Sequence, residues 1–217
     1  MCIRDRETQV DRYEDALGTY LVKLSSRELN HADSQSVNTL LHTISDFERI
    51  SDHSVNLMES AEEMHTKEIQ FSQDARDELQ VLEDAVQDIL NRTTDAFRKG
   101  DLHLASKVEP LEAVVNELVR AIKAHHIARL QAGACTIEYG FVLDDLLTNY
   151  ERIADHCSNI AVAMIEVSED RFDTHEYLNH IKNGESPSFE KRYERYRGRY
   201  TFEPGPSGTA AAPEQKK

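Results

Sequence analysis

Two nine-residue segments of the chain place acidic side chains at a spacing that could hold a cation. Residues 48–56 read Glu-Arg-Ile-Ser-Asp-His-Ser-Val-Asn, and residues 151–159 read Glu-Arg-Ile-Ala-Asp-His-Cys-Ser-Asn. Six of the nine positions are identical, and the segments lie 103 residues apart in a chain of 217. This self-similarity indicates an internal duplication in which one helix occurs twice.

In each segment the acidic residues would lie on one face of a helix, because residues four apart are separated by one turn. Glu48 and Asp52 would then repel each other, and Asn56 would follow one turn later. The same repulsive pair occurs twice, which indicates that a positive charge offsets the repulsion. This charge could be an Arg or Lys of a neighbouring helix or a metal ion. Carboxylate and amide oxygens suit hard cations such as Mg²⁺, Mn²⁺, Ca²⁺ or ferric iron. The predicted ligands are Glu48, Asp52, Asn56, Glu151, Asp155 and Asn159.

Other interpretations of these segments stay open at this point. His53 and His156 could widen the metal choice to zinc, but they point about 100° away from the preceding aspartates and are expected in supporting or surface roles. The acidic pairs could also be the solvated edge of ordinary helices. Asp144 lies two turns before Glu151, where the first segment has Leu41, so the two sites need not be equivalent.

The composition favours a helical protein of a reducing compartment. Glycine and proline number only 8 and 5, which favours long helices over a sheet. The net charge of −15 argues against nucleic acid as a partner, because phosphate contacts need a basic face, and suits a basic partner or bound cations. Cys2, Cys135 and Cys157 form neither a disulfide framework nor a Cys-x-x-Cys pair, so a cytosolic location is expected. The sequence contains no run of about 18 apolar residues, so it predicts no transmembrane segment.

Apolar residues recur at helical spacing along most of the chain, which predicts six principal helices in two antiparallel three-helix units. The first six residues, Met-Cys-Ile-Arg-Asp-Arg, do not continue this pattern, and we expect the natural chain to extend further upstream. The helices are predicted at residues 7–28, 35–68, 72–100, 101–131, 136–169 and 175–182. The predicted domains are a first repeat at 7–100, a second repeat at 101–183 and a C-terminal segment at 184–217.

Several residues are predicted to mark helix ends. Asp33 or Ser34 is expected to cap the second helix, and Ser72 to begin the third. Gly100 is expected to end the third helix. Pro110 is expected either to kink the fourth helix or to separate a short helix from a long one.

The C-terminal segment divides into a basic, aromatic stretch at residues 189–200 and a tail at 204–217 whose composition is typical of disorder. The stretch could contact anionic lipid or a partner. We favour the alternative that it is a terminal helix that packs its tyrosines on the acidic body.

The repeated Glu-Arg-Ile-x-Asp-His-x-x-Asn pattern, each time in the second helix of a three-helix unit, resembles the PhoU family of phosphate-transport regulators. Two longer strings are more specific. Residues 17–28, Leu-Gly-Thr-Tyr-Leu-Val-Lys-Leu-Ser-Ser-Arg-Glu, are similar to the C-terminal PhoU-like module of bacterial sodium/phosphate cotransporter-family proteins. So are residues 136–160, Thr-Ile-Glu-Tyr-Gly-Phe-Val-Leu-Asp-Asp-Leu-Leu-Thr-Asn-Tyr-Glu-Arg-Ile-Ala-Asp-His-Cys-Ser-Asn-Ile.

This resemblance implies an all-α fold of two three-helix bundles related by a pseudo-two-fold axis. It implies multinuclear metal sites, with iron or zinc, and the family's Glu-x-x-x-Asp ligands fall on Glu48 with Asp52 and on Glu151 with Asp155. It also implies non-enzymatic regulation of phosphate uptake, in the cytoplasm or at the inner face of the cell membrane. The implied partner is a membrane phosphate transporter or sensor, and a homodimer is a further expected assembly.

The same residues are compatible with other functions. The transporter half of a cotransporter protein is absent from the 217 residues, so both a truncated transporter and a stand-alone negative regulator are compatible with the sequence. A carboxylate-bridged di-iron enzyme needs Glu-x-x-His pairs inside a bundle, whereas residues 28–31 and 62–65 place theirs at predicted helix ends. No Gly-x-Ser-x-Gly or phosphate-binding glycine loop occurs. A helical interaction module without metal is the third alternative.

Overall fold

The computed structural model describes residues 2–168 and 187–202, and within these ranges all regular structure is helical. The all-α fold predicted from the sequence is therefore confirmed. The helix predicted at residues 175–182 and the tail at 204–217 lie outside the described residues. The helices are α1 (Ile3–Ser25), α2 (His31–Thr66), α3 (Gln73–Lys99), α4 (Leu102–Ala105), α5 (Val108–Gln131), α6 (Ile137–Ser168) and α7 (Pro187–Arg199).

Local capping chemistry explains most helix ends. The Ser72 side chain accepts a hydrogen bond from the backbone N–H of Ala75, so α3 begins where the sequence predicts. Gly100 ends α3 with φ of 64°, a left-handed conformation that glycine adopts without a Cβ clash. The predicted cap of α2 is wrong, because Asn30 accepts the hydrogen bond from Asp33 N–H and starts the helix earlier.

A break at Ser106 and Lys107, just before Pro110, separates a short helix from a long one. The one-turn helix α4 is capped by Asp101, and α5 begins at Val108. Pro110 therefore lies in the first turn of α5, where its missing N–H has no helical acceptor to lose. The first residues of the chain also differ from expectation, because α1 begins at Ile3 and includes them.

The core lies in the second half of the molecule. Helices α2 and α6 form the longest contact, α1 packs against α2, and α3 packs against both α5 and α6. Helices α1 and α2 contribute only two buried apolar side chains, Leu21 and Val37. The largest fully buried side chains come from α3, α5 and α6 and include Leu82, Ile89, Leu111, Ile122, Leu143, Leu147 and Ile160. Packing thus joins α3 to the second repeat, across the predicted boundary at residue 100.

Helix α7 packs on the acidic body, as the favoured interpretation of the basic and aromatic stretch predicts. Tyr196 and Tyr200 are buried in the core. The Tyr200 hydroxyl donates to Asp88 at 2.9 Å, and the Arg197 side chain donates to Glu117 at 3.1 Å. Burial raises the pKa of Tyr200 above its ordinary value, so the phenol keeps the proton that it donates.

Candidate functional site

The two repeated segments face each other across the contact between α2 and α6. The imidazole rings of His53 and His156 stack with their centroids 5.5 Å apart and their planes inclined by 28°. A direct contact between equivalent residues places them at the centre of the pseudo-symmetric helix pair. Both histidines are therefore used for packing between the repeats.

On one side of this contact, Asn149 accepts hydrogen bonds from the first segment. Its Oδ1 lies 2.9 Å from Nδ1 of His53 and accepts from Nδ2 of Asn56 at 3.1 Å. Its own amide nitrogen donates to the backbone carbonyl of Asp145 at 2.8 Å, which leaves Oδ1 as an acceptor. Nδ1 of His53 must then carry the hydrogen.

The other side repeats this arrangement with Asp46 in place of Asn149. The Asp46 carboxylate lies 2.8 Å from Nδ1 of His156 and accepts from Nδ2 of Asn159 at 3.1 Å. Asp46 and Asn149 are themselves 103 positions apart, so the acceptor is duplicated together with the segment that it contacts. Neither acceptor is predicted from the sequence above, although the shared offset of 103 positions marks both. The ligand role expected for Asn56 and Asn159 stays a prediction, and their amide nitrogens are committed to the helix contact.

Asp52 of the first acidic pair meets two carboxylates from α1, whereas Glu48 does not belong to this group of three. Glu7, Asp11 and Asp52 each place one oxygen so that the three atoms lie within 4.8 Å of one another. Oxygens that bind one cation at about 2.0–2.6 Å can be separated by no more than about 5 Å, so these three can share an ion. Two of these three carboxylates, Glu7 and Asp11, lie on α1, and Asp52 lies on α2.

Burial, together with mutual repulsion, raises the pKa of two carboxyl groups in and beside this cluster. Burial and the neighbouring Asp52 raise the pKa of Glu48, and burial together with Asp11 raises the pKa of Glu7. Arg49 lies 3.5 Å from Glu48 and 3.6 Å from Asp52. Its side chain is 61% exposed, so water screens its compensation of the negative charge.

One oxygen of the cluster fits a bound cation on independent grounds. Oδ1 of Asp11 is buried and has no hydrogen-bond partner in the described structure. Leaving a buried acceptor unsatisfied costs about 1–3 kcal/mol. A hard cation held by Glu7, Asp11 and Asp52 would supply the missing partner and neutralise the cluster, so the donor set fits the metal that the sequence resemblance implies.

The second acidic pair has different surroundings. Asp155 forms an ion pair with Arg152 at 3.2 Å, and Asp144 pairs with Lys123 at 2.9 Å. Within residues 2–168 and 187–202, neither Glu151 nor Asp155 belongs to a group of three converging ligand atoms. The predicted second metal site therefore lacks the geometry found at the first.

A local sequence difference explains part of this contrast. Residues 7–11 of α1 read Glu-Thr-Gln-Val-Asp, and residues 112–116 of α5 read Glu-Ala-Val-Val-Asn. This shared pattern, 105 positions apart, makes Asn116 the counterpart of Asp11. Nδ2 of Asn116 donates to Glu112 at 2.6 Å, so an amide lies beside this glutamate where the first repeat has a second carboxylate.

The residues that suggested a di-iron enzyme do not converge. Glu28 precedes α2 at the surface, and Glu62 is an exposed residue that pairs with Arg4 at 3.4 Å. Neither belongs to a group of three converging ligand atoms among the described residues.

Cys157 is buried, and burial raises its pKa to about 12, so its thiol is protonated at neutral pH.

None of the described helices is both long enough and apolar enough to cross a membrane.

Comparison with known proteins agrees with the duplicated architecture. The PhoU domain model matches residues 2–61 and 79–164, about two thirds of the chain. A curated relative from Thermotoga maritima, phosphate-specific transport system accessory protein PhoU homolog 1, is 26% identical over 149 residues. The alignment covers 67% of this chain and 62% of the relative, so the match spans less than two thirds of that protein's length. The chain belongs to the PhoU domain family.

Proposed function

We propose that this protein is a non-enzymatic, metal-binding regulatory module of phosphate uptake. Family membership and the relative's description as an accessory protein of phosphate-specific transport support the regulatory role. The convergence of Glu7, Asp11 and Asp52, with a buried carboxylate oxygen that lacks a partner, is the observation that supports metal binding.

The chemistry of the donors favours a hard cation. The three converging atoms are carboxylate oxygens, and His53 is directed at Asn149 on α6. Ferric iron or Mn²⁺ therefore suits the cluster better than zinc, which prefers nitrogen and sulfur ligands. Because Glu7 and Asp11 lie on α1 and Asp52 lies on α2, a shared ion would hold the two helices together and stabilise them by mass action.

Metal binding is testable with the purified chain after treatment with a chelator. Titration calorimetry with MnCl₂ should detect binding, and Asp52→Asn should weaken it by at least about tenfold. Asp144→Asn is the matched control, since it neutralises an aspartate paired with Lys123 outside the cluster. A wild-type chain that binds no Mn²⁺, or an Asp52→Asn variant that binds like the wild type, would contradict the metal site. Metal analysis of the untreated protein would distinguish iron, zinc and manganese.

The proposed partner is a membrane phosphate transporter or sensor, contacted at the cytoplasmic face. The net charge of −15 suits a basic surface on that partner. We infer the cytosolic C-terminal module of a sodium-dependent phosphate transporter from the strings at residues 17–28 and 136–160. A stand-alone negative regulator is the second candidate, because the curated relative is described as an accessory protein.

Radiolabelled phosphate uptake in the source cells separates these roles. Deleting the chain should deregulate uptake, whereas unchanged uptake and unchanged phosphate-responsive expression would contradict regulation. Residues 1–217 expressed as a separate polypeptide should restore control if the protein acts alone. Restoration only when the chain is fused to a transporter would identify the module.

A further inference from the structure

Helix α7 is a basic, amphipathic helix on an acidic protein. Its 13 residues include five Lys or Arg side chains and two glutamates, in a chain whose net charge is −15. Four aromatic residues recur at four-, three- and four-residue spacing and therefore share one face: Phe189, Tyr193, Tyr196 and Tyr200. The helix lies outside residues 2–61 and 79–164, so the match to the PhoU domain does not account for it.

Two carboxylates of the body hold α7 in place, Glu117 on α5 and Asp88 on α3. Each accepts one hydrogen bond from a tyrosine hydroxyl and one from an arginine side chain. The donors are Tyr193 at 2.7 Å and Arg197 at 3.1 Å for Glu117, and Tyr200 at 2.9 Å and Arg199 at 3.3 Å for Asp88. Neutralising the two carboxylates would therefore weaken four contacts of α7 at once.

The remaining attachment of α7 is shallow. Tyr196 is its buried side chain, and Arg192 donates to the backbone carbonyl of Ser106 at 2.7 Å. Arg197 and Arg199 are 54% and 60% exposed, so water screens their ion pairs. A helix held by one buried side chain and by screened ion pairs can detach at a lower free energy than the core helices.

The two faces of docked α7 have different surroundings. Lys191 and Arg195 point to solvent, together with most of Arg197 and Arg199. The tyrosine face is turned to α3 and α5, where Tyr196 lies under the guanidinium of Arg92 at 5.3 Å from the ring centroid. The docked helix therefore exposes its cations and covers its aromatic rings, and only a detached helix can present both to one partner.

The surface of a bilayer with anionic phospholipids fits such a partner. Its headgroups attract Lys and Arg side chains close to the membrane. Its interfacial layer takes up aromatic rings on the opposite face of the same helix. An acidic protein surface would complement the cations but offers no apolar layer for four aromatic side chains. The bilayer is therefore the partner that uses both faces of α7.

We propose that α7 is a membrane-binding helix that the body holds in a docked position through Asp88 and Glu117. The aromatic face contacts the body in the docked position and the bilayer in the released position, so the two positions exclude each other. This interaction does not depend on the metal site or on the regulatory role proposed above.

Vesicle sedimentation with the full chain tests the proposal. The released variant carries Asp88→Asn and Glu117→Gln, which remove both charges that hold α7. It should bind vesicles of phosphatidylglycerol and phosphatidylcholine in equal parts at least about fivefold more tightly than the wild type. The matched control carries Asp77→Asn and Asp145→Asn, which remove the same charge from exposed sites on α3 and α6. Equal binding by the released variant and this control, or equal binding to phosphatidylcholine alone, would overturn the proposal.

A charge reversal locates the contact with lipid. Lys191→Glu with Arg195→Glu, added to the released variant, should weaken vesicle binding by at least about tenfold. Both side chains are exposed, so the fold should persist. Arg98→Glu with Lys99→Glu is the matched control, because it makes the same charge change at two exposed residues of α3. If both reversals weaken binding equally, the contact is not specific to α7 and the proposal is wrong.

Hydrogen exchange measured by mass spectrometry tests the detachment without lipid. In the released variant the amides of α7 should exchange at least about fivefold faster than in the wild type, whereas the amides of α3 and α5 should keep their rates. Unchanged exchange in α7 would show that the two carboxylates do not hold the helix. Equal acceleration in α3 and α5 would show that α7 does not detach as a separate unit. Either result would overturn the proposal.

Discussion

The two halves of this protein share the helix contact at their centre and differ in what surrounds it. In the second half, α3 covers α5 and α6 and buries Ile122 and Leu143. In the first half, Leu17 and Leu40 are exposed, and a separate part of α1 and α2 carries a repulsive acidic cluster. The duplicated histidine and asparagine contacts survive because each repeat needs the other to complete them. The outer surfaces carry no such mutual requirement, and there the halves have diverged.

The largest expected difference between the halves is in packing energy. Ile122→Ala should reduce the free energy of unfolding by about 3 kcal/mol, because it leaves a cavity in a fully buried site. Leu17→Ala, at the equivalent position of α1, should reduce it by less than about 0.5 kcal/mol. Urea denaturation monitored by circular dichroism measures both. Similar losses would mean that Leu17 is buried in solution.

Substitutions at the central contact should reduce the free energy of unfolding by similar amounts in the two halves. Asp46→Ala removes the acceptor of His156 and Asn159, and Asn149→Ala removes the acceptor of His53 and Asn56. Each should cost about 1–2 kcal/mol of unfolding free energy, with the larger loss at Asp46 because its hydrogen bonds involve a carboxylate. Ser45→Ala, which removes an exposed hydrogen bond to Glu14, serves as the control in the same urea titration. If only one of the two substitutions reduced the free energy of unfolding, Asp46 and Asn149 would not have equivalent roles in the contact.

A single substitution can give each acidic site the residue that the other repeat has at the equivalent position. Asp11→Asn gives the first repeat the amide that the second repeat has at Asn116, and should weaken Mn²⁺ binding by about tenfold in calorimetry. The same change should raise the melting temperature of the metal-free chain, because it removes one of the repelling carboxylates. Asn116→Asp should lower that temperature, since it places a carboxylate beside the buried Glu112. A metal-free chain destabilised by Asp11→Asn would contradict the repulsive cluster.

The smallest expected effect is the pH dependence of the first site without metal. The folded protein raises the pKa of Glu48 above its unfolded value, so protonation of this group favours folding. Its stabilising contribution is complete below the unfolded pKa and is lost as the pH rises through the folded pKa. Glu48→Gln should therefore stabilise the chain by a few tenths of a kcal/mol at pH 7, and this advantage should vanish as the pH falls toward 4.5. Urea denaturation at both pH values measures the difference, and a constant advantage would contradict the raised pKa.

Local chemistry made much of the fold predictable. Ser72 and Gly100 end α3 through interactions with residues three or four positions away, which a sequence pattern can reveal. The cap of α2 was harder, because Asn30, Asp33 and Ser34 compete for one position and only Asn30 has the extended backbone with its oxygen over Asp33 N–H.

The candidate site was predictable only in part, because its remaining members depend on how helices are placed against each other. Asp52 is predicted from its spacing along one helix, whereas Glu7 and Asp11 join it through the register of α1 on α2. The use of Asn56 in a helix contact also depends on which face of α2 meets α6. A pattern within one helix contains no information about that rotation.

The single-sided attachment of α1 has a consequence for the dynamics of the chain. A helix that packs on one neighbour and contributes one buried apolar side chain can detach as a cooperative unit while α3, α5 and α6 stay folded. The amide protons of α1 should then exchange with solvent much earlier than those of the core helices. A cation across Glu7, Asp11 and Asp52 would hold α1 on α2 and would therefore slow that exchange.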